Sequence, residues 1–150
     1  MSGTDRESSR GLPARVNLSL QLVALVAAIL LRAARPGAVT EFLLITVVGP
    51  LLALVPVALA VAALRLHRLP APLAVPFVVC AVALVAAAAL APDVAAGVWW
   101  VPMFDLLGVR PHQIIRMDIV GRVLAAGYVL AVTWTTVAFL RSGARTGTSS

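Results

Sequence analysis

Residues 69–92 read LPAPLAVPFVVCAVALVAAAALAP, a stretch of 24 residues without one charged side chain. A helix rises 1.5 Å per residue, so a helix of this length would be about 36 Å long, and a bilayer's hydrocarbon core is about 30 Å thick. The second half of the stretch, from Cys80 to Ala91, has no polar stripe of the kind that the outer face of a soluble helix needs. The stretch therefore predicts a helix that crosses a membrane.

The rest of the chain has the same character. Of its 150 residues, 61% are hydrophobic and only 12% are charged, which lies outside the range of soluble globular domains. None of its long apolar runs alternates polar with apolar residues, as a barrel strand would. The spacing of the charged residues predicts an all-α polytopic membrane protein with four spans, at about 16–34, 41–64, 72–92 and 119–140.

The links between the predicted spans are mostly short, so consecutive spans are expected to be antiparallel neighbours in an up-down-up-down four-helix bundle. This gives one transmembrane domain, residues 16–140, between two polar tails, residues 1–15 and 141–150, whose composition predicts disorder. The first span could instead be a cleaved secretory signal. The polar segment ahead of this span is long for a secretory signal, and Arg and Pro follow the span where a signal would have small residues. Both features favour an uncleaved anchor.

All 12 basic residues are arginines, and their distribution predicts the orientation. If both termini are in the cytoplasm, seven arginines lie on that side and five on the other. The positive-inside rule places the side with more arginines in the cytoplasm, so we expect this orientation. The seven are Arg6, Arg10, Arg15, Arg65, Arg68, Arg141 and Arg145, and the five are Arg32, Arg35, Arg110, Arg116 and Arg122. Exclusive use of arginine, with abundant Ala, Val and Leu, is typical of a GC-rich bacterial genome, so we expect a plasma-membrane protein. Since the charges lie at membrane edges, we expect anionic lipids as partners and no nucleic acid.

The segment before the fourth span, residues 93–118, concentrates the chain's chemistry. Trp99 and Trp100 have the composition of an interfacial belt, because the uncharged interval around them has only 11 residues and is too short to span. Arginine's planar fork suits phosphates and carboxylates, so the segment could bind an anionic lipid or an acidic partner surface. The alternative is that tryptophan and arginine only anchor the segment at the interface, where the chain turns back into the membrane. The candidate binding residues are Trp99, Trp100, Arg110, His112, Arg116, Asp118 and Arg122.

Small residues mark the faces on which helices are expected to pack closely, because lipid removes the hydrophobic drive between spans. They recur at four-residue spacing in the third and fourth spans, and the candidates are Ala83, Ala87, Ala91, Gly121, Ala125, Gly127 and Ala131. In the first span, Asn17 and Gln21 lie one turn apart. They could form a hydrogen bond between helices, or they could lie in the headgroup region and bond water.

The second span contains two features of open meaning. Gly49, Pro50 and Pro56 interrupt it, which marks a substrate site or hinge in some transporters and is merely tolerated in most membrane helices. Glu41 could be an intramembrane polar site, although its place in the first turn of the span, after a possible N-cap at Thr40, favours an interfacial acid.

Most catalytic and metal chemistry finds no support in the sequence. A single cysteine excludes an intrachain disulfide and a thiolate metal cluster, and nucleotide-binding glycine loops and zinc-protease motifs are absent. We therefore expect no metal and no cofactor. An enzyme remains an alternative through Asp105, His112 and Asp118, which a surface loop could bring together.

Two other functions remain open. One is a non-catalytic accessory subunit that packs against a partner membrane protein or a second copy through its small-residue faces. The other is a small transport or anionic-lipid-handling protein, with the broken second span as a path. The spans have few hydroxyl groups, chiefly those of Thr46, Thr133, Thr135 and Thr136, which favours the accessory subunit.

Overall fold

The computed structural model describes residues 11–34, 37–95, 98–108 and 114–146. Within these residues the chain forms six α-helices, two short antiparallel strand pairs and one 3₁₀ helix. The helices are α1 Ala14–Ala33, α2 Ala38–Ile45, α3 Val48–Ala62, α4 Ala71–Leu90, α5 Pro102–Leu106 and α6 Ile114–Thr146, and the 3₁₀ helix is Ala63–Leu66. The strands are β1 Leu12–Pro13, β2 Arg68–Leu69, β3 Asp93–Ala95 and β4 Val98–Trp100.

In the described residues four helices are long and apolar enough to cross a bilayer, which confirms the predicted all-α class with four candidate spans and indicates a multi-pass membrane protein. They cover Ala14–Ala33, Val48–Leu66, Ala71–Leu90 and Ile119–Ser142. Helix α4 is the central element, since it packs extensively against both α1 and α6. Phe77 and Cys80 of α4, both fully buried, lie in the two clusters that form the core.

Two backbone interactions join the first and second spans at one end of the bundle. Strand β1 pairs with β2, so that Leu12 lies opposite Leu69 and Pro13 opposite Arg68. The N–H of Ala14, which has no partner inside α1, donates to the carbonyl of His67 at 3.1 Å. The start of α1 is thereby held against the end of the second span.

The second predicted span, 41–64, is divided between α2 and α3. The break lies at Val47, which has a left-handed backbone (φ 60°, ψ −7°) that a β-branched residue rarely adopts. Pro50 explains the position, because a proline is favourable only in the first turn of a helix, where its missing N–H has no intrahelical partner. Helix α3 begins at Val48, so Pro50 lies in that first turn.

The second proline of this span lies inside α3 and removes an intrahelical hydrogen bond. Pro56 has no N–H to donate to the carbonyl of Leu52, four residues earlier. The hydroxyl of Tyr128, on α6, donates to that carbonyl at 2.8 Å. A backbone acceptor that α3 leaves unpaired is thus satisfied by a different span.

Asn17 and Gln21 lie inside the bundle, and Gln21 forms the predicted hydrogen bond between helices. Both are buried, at 0% and 2% exposure. The side chain of Gln21 donates to the carbonyl of Phe77 on α4 at 2.9 Å. The amide of Asn17 has no hydrogen-bond partner among the described residues.

Candidate functional site

The largest polar cluster in the described residues surrounds Asp93, at the end of the bundle where α1 and α4 finish. Asp93 is the first residue of β3 and is fully buried. Its carboxylate accepts hydrogen bonds from four groups on neighbouring segments and from the next residue. The donors are the N–H of Val39 at 2.9 Å, the N–H of Thr40 at 3.1 Å, the hydroxyl of Thr40 at 2.5 Å, the N–H of Val94 at 2.7 Å and Nη1 of Arg32 at 3.3 Å.

Asp93 acts as the N-terminal cap of α2 from more than 50 residues away. The N-cap residue of α2 is Gly37, which has no side chain with which to bond the first N–H groups. Val39 and Thr40 are the second and third residues of the helix, the positions whose N–H groups a local cap would bond. Thr40 is therefore not the N-cap that the sequence predicts, and its hydroxyl donates to Asp93.

The absence of a side chain at residue 37 is required by this contact. A Cβ atom on Gly37 would overlap Oδ1 and Cγ of Asp93, far inside van der Waals contact. The carboxylate has no freedom to move away, because five donors hold it. Only glycine allows the carboxylate to approach the start of α2 this closely.

Arg32 connects the carboxylate to the end of α4. Its Nη2 donates to the carbonyls of Ala87 at 3.2 Å and Ala91 at 2.8 Å, while its Nη1 forms the ion pair with Asp93. Helix C-termini carry partial negative charge and N-termini partial positive charge. The arginine therefore lies at the negative end of α4 and the aspartate at the positive end of α2, so each charge has a favourable helix terminus as well as its partner.

The environment of Asp93 stabilises its ionised form. Burial alone would raise the pKa of the carboxyl group, but the hydrogen bonds from the Thr40 hydroxyl and from the N–H groups of Val39, Val94 and Thr40 lower it below its ordinary value. A carboxylate offers about four lone-pair sites, and the carboxylate of Asp93 already accepts from five donors, so some of them share a site. These bonds join α1, α2 and the end of α4, so this cluster holds segments together.

The predicted binding residues are distributed over several elements. Arg110 and His112 lie outside the described residues. Arg116 and Asp118 lie in the first turns of α6, where only the backbone is described, and Arg122 is an exposed residue of the same helix. Asp105, of the possible catalytic set, is an exposed residue of α5.

The two tryptophans of the predicted interfacial belt have different environments. Both belong to β4, which pairs with β3 so that Trp100 lies opposite Asp93 and Trp99 opposite Val94. Trp99 is 41% exposed, whereas Trp100 is only 7% exposed. The indole N–H of Trp100 finds no acceptor in the described part of the chain. Trp100 therefore packs inside the protein, and only Trp99 has the exposure of an interfacial anchor.

The predicted intramembrane site and packing residues also fall in different environments. Glu41 is exposed on α2, in its first turn. A Cβ atom on Gly121 would overlap Cδ of Pro92, so α6 approaches the end of α4 closely there. A Cβ atom on Gly127 would meet nothing within 4 Å, so this glycine faces outward. Ala131 is buried, Ala125 is exposed, and Ala83, Ala87 and Ala91 are half-buried.

Sequence reasoning used Arg32 and Asp93 only as the ends of spans and did not bring them together. One signal was present: Arg32 closes the first span and Asp93 closes the third, and alternate spans of an up-down bundle end on the same side. The contribution of Thr40 and Gly37 had no local signal, since the partner is 53 residues away from Thr40. Tyr128 was missed for the same reason.

Comparison with protein-family models, curated proteins and solved structures finds no match to this chain. The functional argument therefore rests on the residues and their geometry.

Proposed function

We propose that this chain is a non-catalytic integral membrane subunit that binds a partner transmembrane helix through the outward face of α6. The observation that carries the proposal is the surface at Gly127. It combines a glycine with open space in front of it and a flanking exposed alanine, Ala126. Leu130 and Trp134, at 70% and 50% exposure, extend the same face. Small residues let two membrane helices approach closely, so this face has the form of a helix-packing surface that the described part of the chain does not use.

The position of Trp134 supports a protein partner over lipid. Arg122 and Arg141 bracket the uncharged part of α6, and Trp134 lies two to three residues from their midpoint, about 4 Å along the axis. Tryptophan is enriched at the membrane interfaces, where its N–H can find an acceptor. Near the middle of the hydrocarbon an exposed indole N–H is costly, and a neighbouring protein can supply the acceptor.

The spans contain no described row of free polar groups that could line a transport path. The four threonines on which such a path would depend each bond a backbone carbonyl of their own helix. The bonds run from Thr46 to Phe42, from Thr133 to Val129, from Thr135 to Ala131 and from Thr136 to Val132. These hydroxyls stabilise helices and offer little to a permeating solute.

The proposal includes the location. We place the chain in a bacterial plasma membrane because all its basic residues are arginines and Ala, Val and Leu are abundant. We place both termini in the cytoplasm because the predicted arginine majority lies on that side. The end of the bundle that carries β1 and β2 would then face the cytoplasm, and the Asp93 cluster would face outward.

Site-specific crosslinking in native membranes tests the proposal. A photo-reactive benzoylphenylalanine replaces Leu130 in one variant and Val23, a 66% exposed residue of α1, in a matched control. We expect a discrete protein adduct at position 130 and none at position 23. An adduct of twice the 15.6 kDa chain would identify a second copy as the partner.

A second substitution distinguishes a packed interface from chance proximity. Gly127→Leu adds bulk where the isolated chain has open space, so thermal unfolding in detergent should be unchanged while the adduct at position 130 disappears. Equal adduct patterns at positions 130 and 23, or an adduct at 130 that survives Gly127→Leu, would refute the proposed interface.

A further inference from the structure

A surface groove lies beside α4 at the opposite end of the bundle from the Asp93 cluster. Residues 11–13 form one wall, and Ala71, Ala74, Val75, Val78 and Val79 of α4 form the other. Its volume is about 470 Å³, within the ordinary range for ligand sites. Every lining residue is apolar or glycine, and the α4 wall belongs to a membrane span. The groove therefore opens towards the hydrocarbon of the bilayer.

Two arginines lie in segments next to this groove. The pairing of β1 with β2 places Arg68 directly opposite Pro13, and a Cβ atom on Gly11 would lie 3.4 Å from Cβ of Arg68. Arg15 lies in the first turn of α1, two residues beyond Pro13, and both arginines are exposed. The apolar groove is therefore bordered, at the end of a span, by two basic residues of the adjoining segments.

The length of the groove distinguishes a lipid from a partner helix. From Ala71 to Val79 the α4 wall rises about 12 Å. This is close to the depth of one leaflet, which is about 15 Å, and less than half of the ~30 Å that a transmembrane helix crosses. One acyl chain matches the groove over its whole length, whereas a crossing helix would contact it over a minor part.

We infer that this groove binds an acidic phospholipid, with one acyl chain along α4 and the phosphate against Arg68 and Arg15. The guanidinium fork is suited to a phosphate, and an acidic lipid brings a net negative charge that a zwitterionic lipid lacks. The first turn of α4 begins at the same place, and its partial positive charge favours the phosphate further. This site is separate from the α6 face proposed above for a partner helix.

Native mass spectrometry of the full-length chain in mild detergent tests this inference, with phosphatidylglycerol and phosphatidylcholine of identical acyl chains as probes. We expect retention of phosphatidylglycerol at about tenfold lower lipid concentration than phosphatidylcholine, the size of one charge-assisted contact. Val75→Trp fills the groove from its exposed side and should abolish retention of both lipids. Val82→Trp is the matched control, because Val82 is an exposed residue of α4 outside the groove.

The headgroup contact is tested separately. Arg15→Gln with Arg68→Gln should remove the preference for phosphatidylglycerol and leave the weaker retention of phosphatidylcholine. Arg141→Gln removes a single charge from an exposed arginine of α6, a helix that contributes no residue to the groove, and should keep the preference. Retention that is the same in Val75→Trp and Val82→Trp would overturn the site. A preference that survives loss of both arginines would overturn the headgroup assignment.

Discussion

Replacement of Asp93 by alanine is the most direct test of the polar cluster, because it removes five hydrogen bonds at once. Loss of the cap on α2 costs about 0.5 to 2 kcal/mol by analogy with local N-caps. Breaking a fully buried ion pair costs about 3 to 5 kcal/mol. The side chain of Arg32 is 18% exposed and keeps its two carbonyl acceptors, so we expect breaking this ion pair to cost only about 1 to 3 kcal/mol. We therefore expect Asp93→Ala to lower the free energy of unfolding by about 1.5 to 5 kcal/mol.

A double-mutant cycle separates the ion pair from the cap. Arg32→Met removes the charge and keeps much of the side chain's apolar stem, so no unpaired cation is left when Asp93→Ala is added. Residues in direct contact show coupling of about 0.5 to 3 kcal/mol, whereas independent sites add to within about 0.5 kcal/mol. We expect the double variant to be more stable than the sum of the single effects by about 1 kcal/mol or more.

The assay is equilibrium unfolding in mild detergent, followed by tryptophan fluorescence and by circular dichroism. Trp100 lies opposite Asp93 in the strand pair, so its fluorescence reports on the cluster, while the helical signal reports on the whole bundle. Asp93→Asn serves as a conservative variant that keeps the shape and one acceptor oxygen, and it should show a smaller loss. If Asp93→Ala costs less than about 1 kcal/mol, or if the cycle is additive, the cluster does not hold α1, α2 and α4 together.

Two further predictions concern the same polar interactions. The folded-state pKa of Asp93 lies below its unfolded value of about 3.9, so its stabilisation is present above pH ~4 and is lost as the pH falls through the folded pKa. The midpoint temperature of unfolding should therefore drop below pH ~4 in the native chain. It should drop less in Asp93→Asn, which has no carboxylate at this position. Tyr128→Phe should cost about 1 to 2 kcal/mol, because the carbonyl of Leu52 loses its donor. The same substitution in a Pro56→Ala background should cost less, since an alanine at this position restores an N–H for that carbonyl, and an equal cost in both backgrounds would refute this role of Tyr128.

The spans could be predicted from the sequence because each depends on a local property, the distance between charged residues. The interval from Arg68 to Asp93 predicts a span of about 72–92, and the structure places α4 at Ala71–Leu90. The break in the second span was also visible at Gly49 and Pro50, but its exact position was not. The prolines indicate where a helix has to restart. The restart also depends on the left-handed backbone of Val47, which the sequence does not indicate, because β-branched residues rarely adopt this conformation.

The candidate site could not be predicted in the same way, because its parts are far apart in the sequence. Asp93 had the appearance of a residue that ends a span, and Gly37 that of an ordinary turn glycine. Their roles depend on α1 and α4 ending side by side, which places Arg32 against Ala91. The sequence pattern also grouped Trp99 with Trp100, although successive residues of a strand face opposite sides, and the strand pair buries only Trp100.

Three polar side chains inside the bundle share one kind of partner, a backbone carbonyl, whereas the amide of Asn17 has no partner among the described residues. Gln21 donates to the carbonyl of Phe77, Tyr128 to that of Leu52, and Arg32 to that of Ala91. In a membrane each backbone acceptor needs a donor from the protein, because no water is at hand. Interior donors that already bond the backbone are not available to a substrate without unfolding a helix. The α6 face at Gly127 and the groove beside Arg68, where we propose a partner helix and a lipid, both lie on the outside of the bundle, and the crosslinking and lipid-retention experiments address them separately.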